Sequence, residues 1–122
     1  CPDGSADIYL LLAGLAVAAR HGFEMENGTQ YARDRYVDVN IFDERHREVL
    51  ARLNRLPASC EESARRLEEH RAVYERHGVF SPRLIDGLVA RLAAFRDADL
   101  RRELAGDEEK VRKLVETYFY CG

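Results

Sequence analysis

Hydrophobic residues occupy nearly every position from Ile8 to Ala19, and this is the longest apolar run of the chain. Capping oxygens precede it at Asp3 and Ser5, and Gly22 follows it where helices commonly end in left-handed backbone. The run therefore predicts a helix. A helix that is apolar on every face is normally buried on all sides, so we expect other protein to surround this one.

The pattern is less regular between residues 23 and 56. A short helix is predicted over Thr29–Arg35, and the alternation of apolar and polar residues over 37–41 favours a short extended segment. The apolar residues at 49, 50 and 53 share one helix face, which predicts another short helix that Pro57 stops.

Helix signals are strong in the second half of the chain. Ser59 and Glu62 have the spacing of a capping box, in which each side chain binds a backbone amide at the helix start. Gly78 ends that helix, and Ser81 with Pro82 opens the next with a cap and a first-turn proline. Amphipathic faces follow at Leu84, Ile85, Leu88, Val89, Leu92 and Phe95, and in a final helix after Asp107 at Val111, Leu114, Val115 and Tyr118.

Together these signals predict an all-α fold of four to five helices, with one short extended segment near 37–41 and a single helical region over 1–122. Composition agrees, because 122 residues with 46% hydrophobic and 34% charged content are typical of one packed domain. A helix-turn-helix could be drawn through residues 70–95. The net charge of −3 and the interleaved acidic residues nevertheless exclude nucleic acid as the expected partner.

The first apolar run has 12 residues, whereas a bilayer span needs about 20, so no membrane partner is expected. Cys1, Cys60 and Cys121 form no CxxC pair. An odd number of cysteines without metal-ligand spacing is typical of free thiols in a reducing compartment, and a pairing of Cys1 with Cys121 is the alternative. These observations predict a cytoplasmic protein.

Side chains with catalytic or metal-binding potential do not converge in the sequence. His70 and His77 would share a helix face, but about 10 Å of helix rise separates them, which is too far for one metal ion. No cysteine has a neighbouring signature of an activated thiolate. The turn at Gly4 resembles a phosphate-binding loop only weakly. No catalytic, cofactor-binding or metal-binding residue is therefore predicted.

Several segments nevertheless resemble glutamine synthetases. Residues 1–10, Cys-Pro-Asp-Gly-Ser-Ala-Asp-Ile-Tyr-Leu, are similar to the "R-x-P-D-x-S/A-A/G-N-P-Y-L" segment of that family, with Asp7-Ile8 in place of Asn-Pro. Collinear similarities follow at Asn40–Asp43 with "N-L-Y-D", Leu56–Ala64 with "L-P-x-S-L-E-E-A", Val79–Asp86 with "G-V-F-T…I-D", and Glu116–Tyr120 with the "E-x-Y-Y" ending of the bacterial type I enzymes.

The resemblance implies the C-terminal helical portion of a longer enzyme that ligates ammonia to glutamate through a γ-glutamyl phosphate. That parent would use ATP and Mg or Mn ions, and its metal-binding glutamate and substrate-binding arginine would lie just before residue 1. A first residue of Cys1 rather than methionine fits this expectation. We expect the 122 residues alone to be inactive, to hold no cofactor, and to contact the rest of the parent chain and sister subunits in a homo-oligomer.

Two departures from the family pattern bear on regulation and assembly. Phe42 occupies the position of the tyrosine that receives a nucleotide in regulated bacterial enzymes, so the resemblance implies that adenylylation is absent. Residues 98–113 do not match the family sequence in the segment that leads to its C-terminal tail. In the family, that tail contacts an opposing ring of subunits. Tyr118, Phe119 and Tyr120 are the expected interface residues. A stand-alone helical interaction or regulatory module derived from this fold is the alternative function.

Overall fold

A computed structural model describes residues 6–119, and every regular element in that range is helical. The elements are α1 (Ile8–Glu24), α2 (Gly28–Asp34), a 3-10 helix (Glu44–His46), α3 (Arg47–Arg52), α4 (Cys60–Glu69), α5 (Arg71–Glu75), α6 (Pro82–Ala93), α7 (Leu100–Glu103) and α8 (Glu108–Tyr118). The predicted all-α class is confirmed. The predicted number of four to five helices is too low, because the described residues form eight α-helices and one 3-10 helix.

Part of this difference arises at His70. The sequence predicts one helix from residue 60 to Gly78, but the backbone of His70 (φ −108°, ψ 9°) leaves helical geometry and separates α4 from α5. His77 follows the end of α5, so the prediction that the two histidines share one helix face is wrong. No proline or glycine marks this break, which is why the sequence pattern does not reveal it.

The alternating segment 37–41 is not a strand, since no strand exists within the described range for it to pair with. It forms an irregular connection that ends in a turn, where the Asp43 amide donates to the Asn40 carbonyl at 3.2 Å. The segment is therefore not part of a sheet, because a strand requires a neighbouring strand to satisfy its backbone.

One compact unit consists of the described residues up to 18 and from 57 onwards. Its core is Ile85, which is fully buried, together with Val17 and Phe80. The Tyr74 ring meets Phe80 edge-on, with ring centroids 5.6 Å apart, a favourable aromatic geometry. Helix α4 packs along α6 and buries Ala64. The buried apolar side chains thus come from α1, α4 and α6 and from Phe80, which lies just before α6.

The start of α6 matches its sequence signal. The Ser81 hydroxyl accepts the Leu84 amide at 3.2 Å, and Pro82 occupies the first turn, where no amide hydrogen is needed. Just before it, Gly78 adopts a φ of +67° that a side chain would strain. This turn and cap set the register that places Ile85 in the core.

The second compact unit is residues 19–56, which contain the end of α1, α2, the 3-10 helix and α3. None of its residues is buried, and Phe23, Phe42 and Leu56 are at least 85% exposed. Gly28 lies so close to the Gly22 carbonyl that an added Cβ would be 2.5 Å from its oxygen. The unit is therefore shaped by local backbone contacts rather than by a core of its own.

Arg96 has a φ of 49°, the one positive value of a non-glycine residue in the described range. Left-handed backbone costs an L-residue about 1 kcal/mol relative to glycine. We therefore expect Arg96→Gly to leave the free energy of unfolding unchanged or to raise it by up to about 1 kcal/mol, as measured by urea titration. The control Arg101→Gly, within α7, should lower it by about 1 kcal/mol. Equal losses in both variants would contradict this expectation.

Candidate functional site

Helix α1 has one face on the core and an opposite face in solvent. The side that carries Val17 packs on the core, while Ile8, Leu12 and Leu15 on the other side are 57–61% exposed. These three residues recur at i, i+4 and i+7, and we call them the outer face of α1. Within the described residues, then, α1 is covered on one side only. The prediction that other protein covers the outer face therefore remains a prediction. An uncharged apolar face of this kind is suited to an apolar partner surface.

Phe42, which the sequence resemblance aligns with a nucleotide-bearing tyrosine, is 85% exposed. Its amide donates to Asn40 Oδ1 at 3.0 Å, and Asp43 next to it caps the 3-10 helix by accepting the Arg45 amide. The Arg45 guanidinium also binds the Asp43 carboxylate at 2.6 Å and holds the pKa of Asp43 below its ordinary value. The turn thus presents residue 42 to solvent without offering a hydroxyl.

The aromatic residues proposed as an interface lie at the end of α8. Tyr118 is half-exposed and its ring lies 6.5 Å from that of Phe95, which follows α6. Phe119 is 69% exposed, and Tyr120 lies outside the described residues. The structure therefore pairs Tyr118 with Phe95. The sequence predicts Phe95 only as part of the apolar stripe of α6, and its contact with Tyr118 joins residues 23 positions apart.

An open groove of about 510 Å³ lies between α7 and α8. Leu100, Leu104 and Leu114 give it an apolar lining, and Lys110 and Lys113 stand among its polar residues. The groove falls within or next to residues 98–113, the stretch that departs from the family pattern. Both helices therefore present leucine side chains to this groove.

The N-terminus of α4 is capped by a carboxylate from a distant segment. Asp97 Oδ2 accepts the Cys60 amide at 2.8 Å, and Asp97 Oδ1 accepts the Glu61 amide at 3.1 Å. In return, Glu61 Oε2 accepts the Ala98 amide at 3.1 Å. We call these three bonds the clasp. They join segments 36 or 37 residues apart and satisfy amides that the first turn of a helix leaves unpaired.

The predicted capping box at the same helix start is confirmed in one half. The Ser59 hydroxyl accepts the Glu62 amide at 3.0 Å. The Glu62 carboxylate, however, accepts the Ala58 amide at 2.9 Å instead of the Ser59 amide. The box therefore extends one residue further back than the motif predicts. Asp97 was missed because nothing in the sequence links it to a helix that begins 37 residues earlier.

Acid should weaken the clasp. Hydrogen bonding to the Cys60 amide, followed by that to Glu61, holds the pKa of Asp97 below its ordinary value. A carboxylate with a depressed pKa stabilises the folded state at pH values above the ordinary carboxyl pKa. This stabilisation is lost as the pH falls through the pKa of the folded state. In urea titrations between about pH 2 and pH 6, the free energy of unfolding should fall less steeply with acid in Asp97→Asn than in the wild type. The control Asp99→Asn removes a carboxylate that binds Arg102, and its free energy of unfolding should fall with acid as steeply as that of the wild type. Equal slopes in wild type and Asp97→Asn would contradict the expectation.

Cys60 is a free thiol at the first position of α4 and is half-buried. Burial first, and the hydrogen bond to Asp97 second, raise the pKa of this thiol. The predicted free state is thus confirmed for Cys60. Cys1 and Cys121, and with them the alternative of a terminal disulfide, lie outside the described residues.

Charged side chains of the described range form ion pairs, and no group of three or more His, Cys, Asp or Glu residues there could hold a metal ion. The largest network centres on Arg71, which binds Glu68, Glu75 and Asp86 at 2.8 Å each. These carboxylates raise the pKa of Arg71, chiefly through Glu75. Because Asp86 lies on α6, the network ties α5 to α6 and has a structural role.

Among residues 6–119, no single helix is long and apolar enough to cross a membrane. The pair α1 and α2 passes that length and composition test together, but the chain bends by 109° between the two helices.

Comparisons with known proteins agree on one family. A family model described as glutamine synthetase, catalytic domain, matches residues 1–102. The glutamine synthetase of Thermococcus kodakarensis is 30% identical over 123 residues, which cover 98% of this chain and 27% of that enzyme. The chain therefore spans about a quarter of the length of this curated relative. No solved structure matches the chain.

Proposed function

Because the chain belongs to the glutamine synthetase catalytic-domain family, we propose that it is the C-terminal helical part of an enzyme that ligates ammonia to glutamate with ATP. Its role there is structural, since it supports the catalytic segments and contributes subunit contacts in a homo-oligomer. The observation that carries this proposal is the match over residues 1–102, together with a relative of which the chain covers 27%. The parent enzyme acts in the cytoplasm and has no nucleic-acid or membrane partner.

The outer face of α1 supports a role in packing against further protein. Three large aliphatic side chains on one helix face remain more than half exposed, while the opposite face contributes Val17 to the core. Burying such side chains stabilises an assembly by roughly 1 kcal/mol or more each. We assign this face to contact with the catalytic segments of the parent enzyme, whose family relative is far longer than this chain.

Catalytic groups belong elsewhere in the parent enzyme. ATP would supply the phosphoryl group and Mg or Mn ions would neutralise its charge, which requires clustered carboxylates. The described residues contain no such cluster, so they do not fit the metal and no step is assigned to them. We further propose that the 122-residue chain by itself has no ligase activity and binds neither ATP nor a metal ion, as the resemblance implies.

Phe42 makes regulation by nucleotide attachment unavailable at this position. A phenyl ring has no oxygen to form the phosphodiester, although its 85% exposure would leave a tyrosine accessible. Intact-protein and peptide mass spectrometry of the natural protein should therefore find no nucleotide on residues 37–45, which contain no hydroxyl side chain. Phe42→Tyr, incubated with an adenylyltransferase and ATP, should acquire a nucleotide on residue 42. A nucleotide on the wild-type segment would contradict the assignment.

The gene itself tests the proposal. The codons just before Cys1 should encode a Glu-x-Arg segment, as the resemblance at Pro2-Asp3 implies. A reading frame that starts near residue 1, with a stable monomeric product, would instead support a stand-alone interaction module. Absence of the Glu-x-Arg segment upstream would overturn the proposed function.

A further inference from the structure

We propose that the second compact unit, residues 19–56, docks through Phe23 and Leu56 onto the remaining part of the catalytic domain in the same parent chain, and that this contact stabilises α2 and α3. The inference rests on the proposed function, because it requires a parent enzyme longer than this chain. It adds a docking surface that shares no residue with the outer face of α1, and it specifies an uncharged apolar surface as the partner.

The helices of this unit are too short to be stable by themselves. Helix α2 has seven residues and α3 has six, whereas isolated helices shorter than about 12–15 residues are marginal in water. Most helical stability in proteins comes from packing an apolar face, yet none of residues 19–56 is buried. Both helices therefore need a covering surface to become stable.

Large apolar side chains of the unit lie in water. Phe23, at the end of α1, is 91% exposed, and Leu56, at the end of the unit, is 88% exposed. Removing side chains of this size from water is strongly favourable. Because neither residue has a charged group, their burial requires an apolar counterpart and no compensating ion.

The charges of the unit are already balanced. Residues 19–56 contain seven arginines, no lysine, and seven aspartates and glutamates, which gives a net charge of zero with neutral histidines. Arg20 binds Glu24 at 2.8 Å, and the Arg35 guanidinium lies 3.5 Å from the centre of the Tyr31 ring. A strongly acidic or basic partner would gain little from such a surface. The apolar side chains are therefore the groups that recognise the partner.

Phe42 is not part of the proposed contact, although it is 85% exposed. The side chains of Glu44 and Arg45 on its turn are 86% and 82% exposed, and covering them would remove charges from water at a cost. By contrast, the side chain of Glu24, next to Phe23, is only 31% exposed. The two phenylalanines should therefore differ in the complete enzyme.

The family match indicates which surface covers the unit. The catalytic-domain model matches residues 1–102, a range that contains the whole unit, and the chain covers only 27% of its Thermococcus relative. A domain is built around a hydrophobic core to which its segments contribute together. A unit without a buried residue, inside such a domain, is thus assigned to the part of the same domain that lies outside these 122 residues.

The first test measures side-chain oxidation in the complete gene product by hydroxyl-radical footprinting and peptide mass spectrometry. Phe23 and Phe42 have the same intrinsic reactivity, so their ratio reports exposure alone. We expect Phe23 to be oxidised roughly fivefold more slowly than Phe42, at every protein concentration. Equal rates would overturn the docking. Protection of Phe23 that disappears on dilution would overturn the assigned partner, because a sister subunit would then be the cover.

The second test uses Phe23→Asp and Phe42→Asp as a matched pair in the complete gene product. Amide hydrogen exchange in α2 and α3 should rise about tenfold in Phe23→Asp, with exchange in α6 unchanged, and should match the wild type in Phe42→Asp. Phe23→Leu keeps the contact apolar and should also match the wild type. Aspartate variants that act alike, or a Phe23→Asp effect as large in α6 as in α2 and α3, would overturn the proposal.

Ligase activity of the same wild-type sample separates this inference from the proposed function. An inactive product in which Phe23 is protected would contradict the ligase assignment and support the docking. An active product in which Phe23 and Phe42 are oxidised equally would overturn the docking and leave the ligase assignment intact.

Discussion

Replacing Ile85 with alanine is expected to lower the free energy of unfolding by about 2–5 kcal/mol, the range for truncating a buried aliphatic side chain. Ile85 has no exposed surface, and it packs between Val17 of α1 and Phe80. The lost methyl and methylene groups would leave a cavity that this small core cannot refill. Since domains of this size are stable by about 5–15 kcal/mol, urea unfolding followed by circular dichroism should show a large shift in midpoint.

Two control variants separate core packing from general sensitivity to mutation. Ile85→Val removes one methylene group and should cost about 0.5–1.5 kcal/mol. Val79→Ala truncates a side chain that is 52% exposed and should cost clearly less than Ile85→Ala, about 0.5 kcal/mol. Equal losses for Val79→Ala and Ile85→Ala would mean that the core is not centred on α6.

Charging the outer face of α1 is expected to have the second large effect. The 122-residue chain should self-associate at high concentration, because Leu12 and Leu15 are 58% and 57% exposed on an uncharged helix face. The double variant Leu12→Asp, Leu15→Asp places two carboxylates in any contact that this face makes. Desolvating them is unfavourable, so association should weaken at least tenfold, as measured by light scattering across a concentration series.

The matched control keeps the face apolar. Leu12→Met with Leu15→Met preserves volume and hydrophobicity and should associate like the wild type. Circular dichroism of both double variants should be alike, because neither side chain belongs to the core cluster around Ile85. A wild-type chain that stays monomeric at high concentration, or an aspartate variant that associates equally well, would contradict the role of this face.

Local signals explain what the sequence could predict. Capping depends on side chains and amides within three residues of each other, so Ser59 and Ser81 mark the starts of α4 and α6 correctly. The amphipathic stripe of α6 likewise identifies Ile85 as a core residue, since periodicity and burial are directly linked along one helix.

Features that depend on distant contacts were not predictable. The clasp joins Asp97 to a helix that begins 37 residues earlier, and no local pattern encodes that distance. The break at His70 carries no glycine or proline. The apolar stripe of α8 predicts burial, yet Val111 and Val115 are 41% and 53% exposed, because periodicity indicates which face is apolar and not what covers it.

We propose that this sequence is part of a glutamate–ammonia ligase and carries none of its catalytic groups. ATP-dependent formation of γ-glutamyl hydroxamate from glutamate and hydroxylamine, with Mg or Mn present, tests it most directly when the complete product of the gene is compared with the 122-residue chain. We predict activity in the complete product and none in the 122-residue chain. Activity in the shorter chain, or no activity in a folded complete product, would contradict the claim.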